Sequence, residues 1–222
     1  MKKLFYILFI SLFIFSCDSD SNPMSPSLCD ESIEVELWGE CYNIQTTSIL
    51  DLNNSGLTGE IPSEIENLIN LTSLTLYNNQ LTGEIPSEIG NLTNLVYIFL
   101  NDNQLTGELP SEIGNLTNLV VLSLGVNQLT GELPSEIGNL TNLEQFWLYD
   151  TQLTGEIPPD IGLLTNLTLL KINNNQFTGV LPEEICNQGD ITPNLSSNKF
   201  CPPYPSCMSQ SDIDSQDTSD CP

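Results

Sequence analysis

Carboxylates and thiols are the side chains of this 222-residue chain that could do chemistry. The chain carries 29 aspartates and glutamates and seven cysteines but no histidine, which is the commonest general base and metal ligand. Paired carboxylates also serve as acid and base in glycosidases. Here, however, the glutamates recur at a fixed interval and none has a unique partner. We therefore expect neither an enzyme nor a bound cofactor.

The glutamates form two ladders along the sequence. One ladder follows a glycine in successive repeats, at Glu60, Glu84, Glu108, Glu132 and Glu156, and the other follows a proline step, at Glu64, Glu88, Glu112, Glu136, Asp160 and Glu184. Like charges at the spacing of neighbouring strands repel each other unless water or cations separate them. The pattern favours a solvated acidic face, with weak calcium binding at Glu84, Glu108 and Glu132 as the alternative.

The overall charge limits the partners. Four lysines stand against the 29 acidic residues, and the formal net charge is −25. A surface this acidic repels nucleic acid and anionic lipid headgroups, and it attracts cationic or cation-bridged partners. We expect no binding of DNA or RNA.

The first 17 residues are typical of an export signal. A basic start precedes an apolar run over residues 4–15, which is shorter than the roughly 20 residues that a membrane-spanning helix needs. The segment 14–17, Ile-Phe-Ser-Cys, resembles a bacterial lipobox. We predict a signal peptide at 1–16, lipidation of Cys17 and a lipidated tether over 17–27. The protein would then cross the inner membrane and be lipid-anchored at the outer membrane or cell surface.

The other six cysteines flank the repeats and can pair completely. They are Cys29, Cys41, Cys186, Cys201, Cys207 and Cys221. We predict three disulfides that cap the two ends of the fold. Cys29 and Cys41 are the two cysteines at their end and should pair with each other. The other four allow three connectivities, of which we favour Cys186–Cys201 with Cys207–Cys221.

A 24-residue unit recurs through the middle of the chain. Its landmark residue falls at Asn79, Asn103, Asn127, Thr151 and Asn175, with Ser55 one period earlier and Asn198 close to one period later. Such spacing predicts one repeat array, not two globular domains. We assign an N-terminal cap to 28–48, a solenoid of about seven turns to 49–200, and a C-terminal cap and tail to 201–222.

Each unit predicts one strand, one bend and one outer segment. The residues five and three before the landmark are apolar, as in Leu74 and Leu76 or Phe146 and Leu148, and they alternate with others as a short strand requires. Stacked copies would form a parallel sheet. A landmark asparagine that points inward could bond backbone groups of its own turn and the next. The proline and the Ser-Glu step after it predict a short helical stretch on the outer side.

The repeated pattern Leu-Thr-Gly-x-[Ile/Leu]-Pro-x-x-Ile-Gly-Asn-Leu-x-Asn-Leu resembles the plant-type leucine-rich repeat. The chain is similar to polygalacturonase-inhibiting proteins and to the ectodomains of receptor-like kinases. This resemblance implies an α/β solenoid, a curved array with its parallel sheet on the concave side and disulfide-capped ends. It also implies a binding protein, but it does not name the ligand, because the family binds peptides, proteins and glycans on one scaffold.

The residues between the strand leucines should project from the concave face. This places five aromatic side chains on one side: Tyr77, Tyr97, Phe99, Trp147 and Tyr149. Lys171 follows Trp147 in its column, and Asp102 and Asp150 lie at one edge. Exposed aromatic residues make binding hot spots or stack sugars. The alternative is that strands favour aromatic residues and neighbouring rings cover each other.

Three functions fit this sequence. The first is a non-enzymatic binding protein, displayed on the cell surface, that holds a protein or peptide on its concave face. The second is a surface lipoprotein that binds polysaccharide there. The third is a passive structural or ice-facing array on the repetitive flank.

Overall fold

The computed structural model describes residues 29–190 and 192–222. The predicted signal peptide, the lipidation site Cys17 and the tether lie outside these residues. The described chain opens with an antiparallel hairpin of β1 (Glu34–Leu37) and β2 (Glu40–Asn43). Within the described residues, no helix is long and apolar enough to cross a membrane.

The repeats contribute short parallel strands. They are β3 (Ile49–Asp51), β4 (Thr58–Gly59), β5 (Ser73–Thr75), β6 (Gln80–Leu81), β7 (Tyr97–Phe99), β8 (Val121–Ser123), β9 (Gln145–Trp147) and β10 (Leu169–Lys171). Strands β3, β5, β7, β8, β9 and β10 form one sheet in this order, and β4 pairs with β6 on the flank. Each strand of the large sheet is offset from its neighbour by one period, as in Leu50 beside Leu74. A bridge from Lys171 to Asn194 adds a seventh turn. The predicted curved solenoid of about seven turns is confirmed.

The opposite side of each turn is a 3₁₀ helix. These helices span Ser63–Asn67, Ser87–Asn91, Ser111–Asn115, Ser135–Asn139, Pro159–Leu163 and Glu183–Cys186. Each follows an extended proline such as Pro62, with φ −65° and ψ 138°, because the pyrrolidine ring fixes φ. The N–H of Leu68 then closes the first helix on the carbonyl of Ile65. The outer helical stretch is therefore confirmed as a short 3₁₀ helix of four or five residues.

The core lies between the sheet and the 3₁₀ helices. Leu74, Leu76, Phe146 and Leu148 are fully buried, as the alternation predicted. Burying such a side chain stabilises the fold by about 1.5–3 kcal/mol. Each turn packs only on its neighbours, so the two ends need covers. The hairpin β1–β2 and the segment after residue 200 provide them.

The landmark asparagines form a buried hydrogen-bond ladder. Asn127 Nδ2 donates to the carbonyls of Leu124 in its own turn, at 2.9 Å, and of Leu100 in the preceding turn, at 3.0 Å. Its Oδ1 accepts from the N–H of Leu105, also in the preceding turn. The prediction that the amide reaches the next turn was therefore wrong, because the asparagine of the next turn occupies that place. Thr151 interrupts the ladder with a hydroxyl that lies within hydrogen-bond distance of two acceptors, Leu148 O and Asn175 Oδ1, and can donate its one proton to either.

The N-terminal cap is closed by the predicted disulfide Cys29–Cys41. Val35 and Leu37 of β1 are buried against the first turn and join the core of the repeats. The indole Nε1 of Trp38 donates to the carbonyl of Glu60 at 3.1 Å. These contacts cover the apolar end that the first repeat would otherwise expose to water.

The C-terminal disulfides differ from the favoured pairing. Cys186 pairs with Cys207, and Cys201 pairs with Cys221. Cys201 forms a parallel β-bridge with Val180 on the flank of the solenoid. Cys186 instead ends a 3₁₀ helix on the outer side, so the two cysteines lie on different faces of the last turns. The chain then passes through α1 (Gln210–Asp214), and the tail returns to the last turn. Asp217 N–H bonds Asn198 O there, which brings Cys221 back to Cys201.

Candidate ligand-binding face

The parallel register aligns the outward side chains of the sheet in rows. One row runs Phe99, Ser123, Trp147, Lys171, and the row beside it runs Tyr97, Val121, Gln145, Leu169. Neighbouring strands lie about 4.8 Å apart, so Phe99 and Trp147 stand about 10 Å from each other across Ser123. Tyr97 is the most open of the predicted aromatic residues, with 42% of its surface exposed. The structure thus places Tyr97, Phe99 and Trp147 on one continuous strip of the sheet.

The fourth turn, whose landmark is Asn127, carries the small residues Ser123 and Gly125 on this face, but it does not leave a gap in the strip. Tyr149 lies over Gly125, where an added Cβ would stand 2.8 Å from the ring carbon Cε1. Ser123 is fully buried and donates to Oδ1 of Asn101 at 3.0 Å. Side chains from the flanking turns therefore cover the two small residues. We define the aromatic patch as Tyr97, Phe99, Trp147, Tyr149 and Lys171.

Lys171 belongs to this patch because its ammonium group lies over two rings. Its Nζ is 5.5 Å from the centroid of Trp147 and 6.0 Å from that of Tyr149. Both distances are within the range of a cation–π interaction. Lys171 thus contacts Trp147, its neighbour in the column, and Tyr149 of the same turn as Trp147.

Asp102 and Asp150 border the patch, with Val126 between them. Both aspartates are exposed and have positive φ, at 56° and 53°. Asp102 accepts from Asn101 Nδ2 at 2.7 Å, and Asp150 accepts from Asn174 Nδ2 at 2.6 Å. Burial, followed by the charges of Asp102 and Asp150, raises the pKa of Tyr149 above its usual value near 10. The charges of both aspartates therefore act on the Tyr149 phenol.

Tyr77 is not brought into the patch. It is half-buried and lies in the second turn, three turns from Tyr149, or about 14 Å at the strand spacing. It faces the same side of the sheet as predicted but could contact only a ligand that spans most of the array.

Two residues and two unpaired atoms of this face were missed at the sequence level. Gly125 accommodates the ring of Tyr149, and Val126 occupies an edge position that is Asn, Asp or Ser in the other turns. Trp147 Nε1 and Asn173 Oδ1 are buried and have no hydrogen-bond partner among the described residues. Val126 could have been found from the repeat alone, because a β-branched residue is unfavourable at the positive φ of this position. The two unpaired atoms depend on side-chain rotamers that the repeat does not encode.

The acidic ladders lie on the flank and outer side, away from the patch. Glu84 packs its side chain over Gly107 of the next turn, where an added Cβ would stand 2.6 Å from Cγ. Among the described residues, the potential metal-ligand atoms of Cys29, Glu34 and Cys41 lie within 4.8 Å of one another. Both of these cysteines form a disulfide, so their thiols are not available as metal ligands. Calcium binding at Glu84, Glu108 and Glu132 stays a prediction, and calorimetry without heat on calcium addition would contradict it.

The repeats match a known family along most of the solenoid. The leucine rich repeat model matches residues 47–68, 70–92, 94–116, 118–140, 142–164 and 166–188. The chain belongs to the leucine-rich-repeat family. No curated protein matches this leucine-rich-repeat chain.

Solved structures with the same repeat include plant receptors. The Arabidopsis receptor kinase HAESA, in complex with the peptide hormone IDA and the co-receptor SERK1, is 37% identical over 70% of this chain and 26% of its own, with a TM-score of 0.68. The plant peptide hormone receptor RGFR1, in complex with RGF2, is 40% identical over 64% of this chain and 23% of its own, with a TM-score of 0.63. The leucine-rich-repeat chain thus spans about a quarter of the length of these receptors.

A plant ice-binding protein is also similar. It is 33% identical over 65% of this chain and 47% of its own, with a TM-score of 0.61. The predicted resemblance to plant receptor-kinase ectodomains is confirmed by these structures. These structures share the repeat scaffold but differ in what they bind, which is a peptide hormone for HAESA and ice for the ice-binding protein.

Proposed function

We propose that this protein is a non-enzymatic recognition protein that binds a peptide or a segment of another protein on the aromatic patch. The observation that carries the proposal is the arrangement of Trp147, Tyr149 and Lys171, in which one ammonium group fixes two partly exposed rings. Rings that are held in place lose little conformational entropy when they bind, and aromatic side chains dominate binding hot spots.

A comparison between the repeats supports the aromatic patch as the location of the binding site. Where the third turn carries Asn101 and Asp102, the fourth turn has Gly125 and Val126, and the fifth turn has Thr151 in place of the landmark asparagine. Gly125 makes room for Tyr149, Val126 places a β-branched side chain at a positive φ, and Thr151 gives up a backbone-bonding asparagine. Departures that lower local stability and cluster beside exposed rings favour a functional explanation over a packing one.

The similar receptors support the ligand class. HAESA and RGFR1 were each solved with a peptide hormone or peptide ligand on a leucine-rich-repeat ectodomain. A peptide also suits a strip about 10 Å wide between Phe99 and Trp147, since it can run across successive turns.

The test is a ligand screen with a matched pair of variants. The immobilised full chain is exposed to a displayed peptide library, to protein extracts and to a glycan array, beside Trp147→Ser with Tyr149→Ser and beside Glu108→Gln with Glu132→Gln. We expect peptides that the wild type and the flank variant capture and the aromatic variant loses. Circular dichroism and the melting temperature check that all three proteins are folded. Equal capture by all three would reject the aromatic patch.

Two other functions have an observation in their favour, and the glycan array and an ice-recrystallisation assay on the same variants separate them from peptide binding. Exposed rings also stack on sugars, so a polysaccharide-binding protein would capture glycans through Trp147 and Tyr149. An ice-facing array would use the flank, where the N–H of Thr106 bonds the carbonyl of Gly83 and the threonines of successive turns repeat in register. The similarity to a plant ice-binding protein supports that candidate. Ice-recrystallisation inhibition that the flank substitutions abolish would identify it.

We also propose that the protein is exported and held at the outer membrane or cell surface by lipid on Cys17. The support is the basic and apolar start of the sequence followed by the lipobox-like segment at 14–17. A multiply acylated cysteine anchors a protein where a single chain would not. Metabolic labelling with a fatty-acid analogue should mark the wild type and not Cys17→Ala, and unlabelled wild type would reject the anchor.

A further inference from the structure

We propose that the ligand of the aromatic patch is a peptide segment that places a basic side chain, lysine or arginine, against the edge formed by Asp102, Val126 and Asp150. We call this edge the acidic notch. The inference rests on the proposed function and specifies the chemistry of the ligand.

The notch is formed by three consecutive turns. Asp102, Val126 and Asp150 occupy the same position of their repeats and share a positive φ of 53–56°, so their side chains leave the backbone in the same direction. With about 4.8 Å between turns, the two aspartates stand about 10 Å apart at the backbone. Val126 therefore lies between the two aspartates in this row, one turn from each.

The two carboxylates have no cationic partner. Among the residues that the structure describes, the lysines are Lys171, which lies over the rings of Trp147 and Tyr149, and Lys199, which lies near Asp217. Each notch aspartate accepts one hydrogen bond from a neutral amide, of Asn101 or Asn174. An ionised carboxylate has about four acceptor sites, so both retain capacity for a charged donor.

The residue between the two aspartates, Val126, is apolar. Val126 is 37% exposed at a position that is polar in the other turns. The ring of Tyr149 covers the neighbouring Gly125, and the charges of both aspartates, after burial, contribute to raising the pKa of its phenol. Lysine and arginine side chains suit such a surface, because their methylene stems lie on apolar groups while the charged end reaches the carboxylates.

The adjoining part of the face is also incompletely bonded. The buried atoms Trp147 Nε1 and Asn173 Oδ1 are a donor and an acceptor without partners among the described residues. Most buried polar atoms of folded proteins have a partner, so this donor and acceptor would gain one if a covering side chain moves aside for a ligand. A peptide backbone supplies both a carbonyl and an N–H.

The charge of the whole chain favours the same ligand. A formal net charge of −25 attracts basic segments and accelerates their association. Because that effect is general, the test must separate the notch from the overall charge.

The probes are two blocked dipeptides, N-acetyl-Leu-Arg-amide and its neutral match N-acetyl-Leu-Gln-amide, titrated into the full chain and followed by NMR. The acidic notch is neutralised by Asp102→Asn with Asp150→Asn. These substitutions keep the fold, because asparagine already occupies this position with positive φ at Asn54, Asn78 and Asn174. The matched control is Glu132→Gln with Glu156→Gln, which removes the same charge from the flank.

We expect the arginine probe to shift the Val126 methyl and Tyr149 ring signals saturably, and to bind at least about tenfold more tightly than the glutamine probe. The notch variant should lose this preference and the flank variant should keep it. Equal binding of the two probes, absence of binding by the arginine probe, or equal weakening in the flank variant would each overturn the inference.

The variant Trp147→Ser separates this inference from the proposed function. Arginine binding that depends on the notch but is unchanged in Trp147→Ser would support the notch and count against the aromatic patch. Library peptides that need Trp147 but contain no basic residue at a fixed position would support the patch and overturn the notch.

Discussion

The ring of Tyr149 rests on the backbone of Gly125 in the preceding turn, so closely that a Cβ at residue 125 would stand 2.8 Å from Cε1 and 2.9 Å from Cδ1. This contact links a glycine with ordinary negative φ to the orientation of an aromatic residue of the aromatic patch. The glycine is needed for space and not for backbone freedom.

Gly125→Ala should therefore displace Tyr149. We expect a loss of about 1 kcal/mol in the free energy of unfolding, because the half-exposed ring can move aside, and weaker binding of any ligand of the patch. Urea unfolding of the four members of the Gly125→Ala and Tyr149→Ala cycle measures the coupling. If alanine at 125 costs the same with and without the tyrosine ring, the contact does not have the role assigned to it.

The asparagine ladder gives a prediction about stability. Asn127→Ala removes a side chain that serves the carbonyls of Leu100 and Leu124 and the N–H of Leu105. Leaving buried backbone groups unpaired costs about 1–3 kcal/mol each when water cannot replace the bond, so a loss of about 3 kcal/mol is expected. Chemical denaturation measures it, and a change below about 0.5 kcal/mol would show that the ladder is not stabilising.

The converse substitution should stabilise the protein. Thr151→Asn places an amide where the ladder is interrupted, with Leu124 O and Leu129 N–H as the expected partners by analogy with Asn127. We expect a gain of about 1 kcal/mol, or a rise of about 2–4 °C in the melting temperature. Calorimetry tests this gain, and an unchanged or lower melting temperature would indicate that Thr151 is already accommodated.

The pH dependence of stability should report on Tyr149. Its pKa is raised in the folded state by burial and by Asp102 and Asp150, and unfolded tyrosine titrates near pH 10. The folded state therefore holds this proton more tightly, so the stability is fully present below about pH 10 and is lost as the pH rises through the folded pKa.

The check is urea unfolding at several pH values from 9 to about 12. Tyr149→Phe should lose less stability over this window than the wild type, while the burial-raised pKa of Tyr42 persists in both proteins. Asp102→Asn should lower the pKa of Tyr149, observed as earlier tyrosinate absorbance. Identical profiles for wild type and Tyr149→Phe would contradict the assignment.

The C-terminal connectivity can be read directly by mass spectrometry of unreduced peptides. We expect linked fragments that contain Cys186 with Cys207 and Cys201 with Cys221. Replacing Cys186 and Cys207 together with serine opens a bridge of 21-residue separation and should cost about 3 kcal/mol. Recovery of a peptide joining Cys186 to Cys201 would refute the cap described above.

The repeat made most of the fold predictable, because each position has several equivalents whose shared environment is visible in the sequence. Leu74 and Phe146 could be assigned to the core, and Phe99 and Trp147 to the open face, from their distance to the landmark alone. The C-terminal cap lies outside the period. The spacing of the cysteines does not show that Cys201 pairs with Val180 on the flank, while Cys207 returns to Cys186 on the outer side.

The details of the binding face were less predictable for a different reason. The repeat fixes where a side chain leaves the strand, but the rotamer of Tyr149 decides that it covers Gly125 instead of standing clear of it. The residues Ser123 and Gly125, which look like a smooth interruption in the sequence, are therefore buried beneath neighbouring side chains.

The most direct test of the aromatic patch is the equilibrium affinity of one captured ligand for the wild type, Trp147→Ala and Glu132→Gln, measured by calorimetry on folded full-length protein. We predict that Trp147→Ala weakens binding by about thirtyfold or more, as expected of a hot-spot residue worth about 2 kcal/mol, and that Glu132→Gln leaves it within about twofold. An affinity that is unchanged in Trp147→Ala, or that depends equally on Glu132, would contradict recognition through the concave aromatic patch.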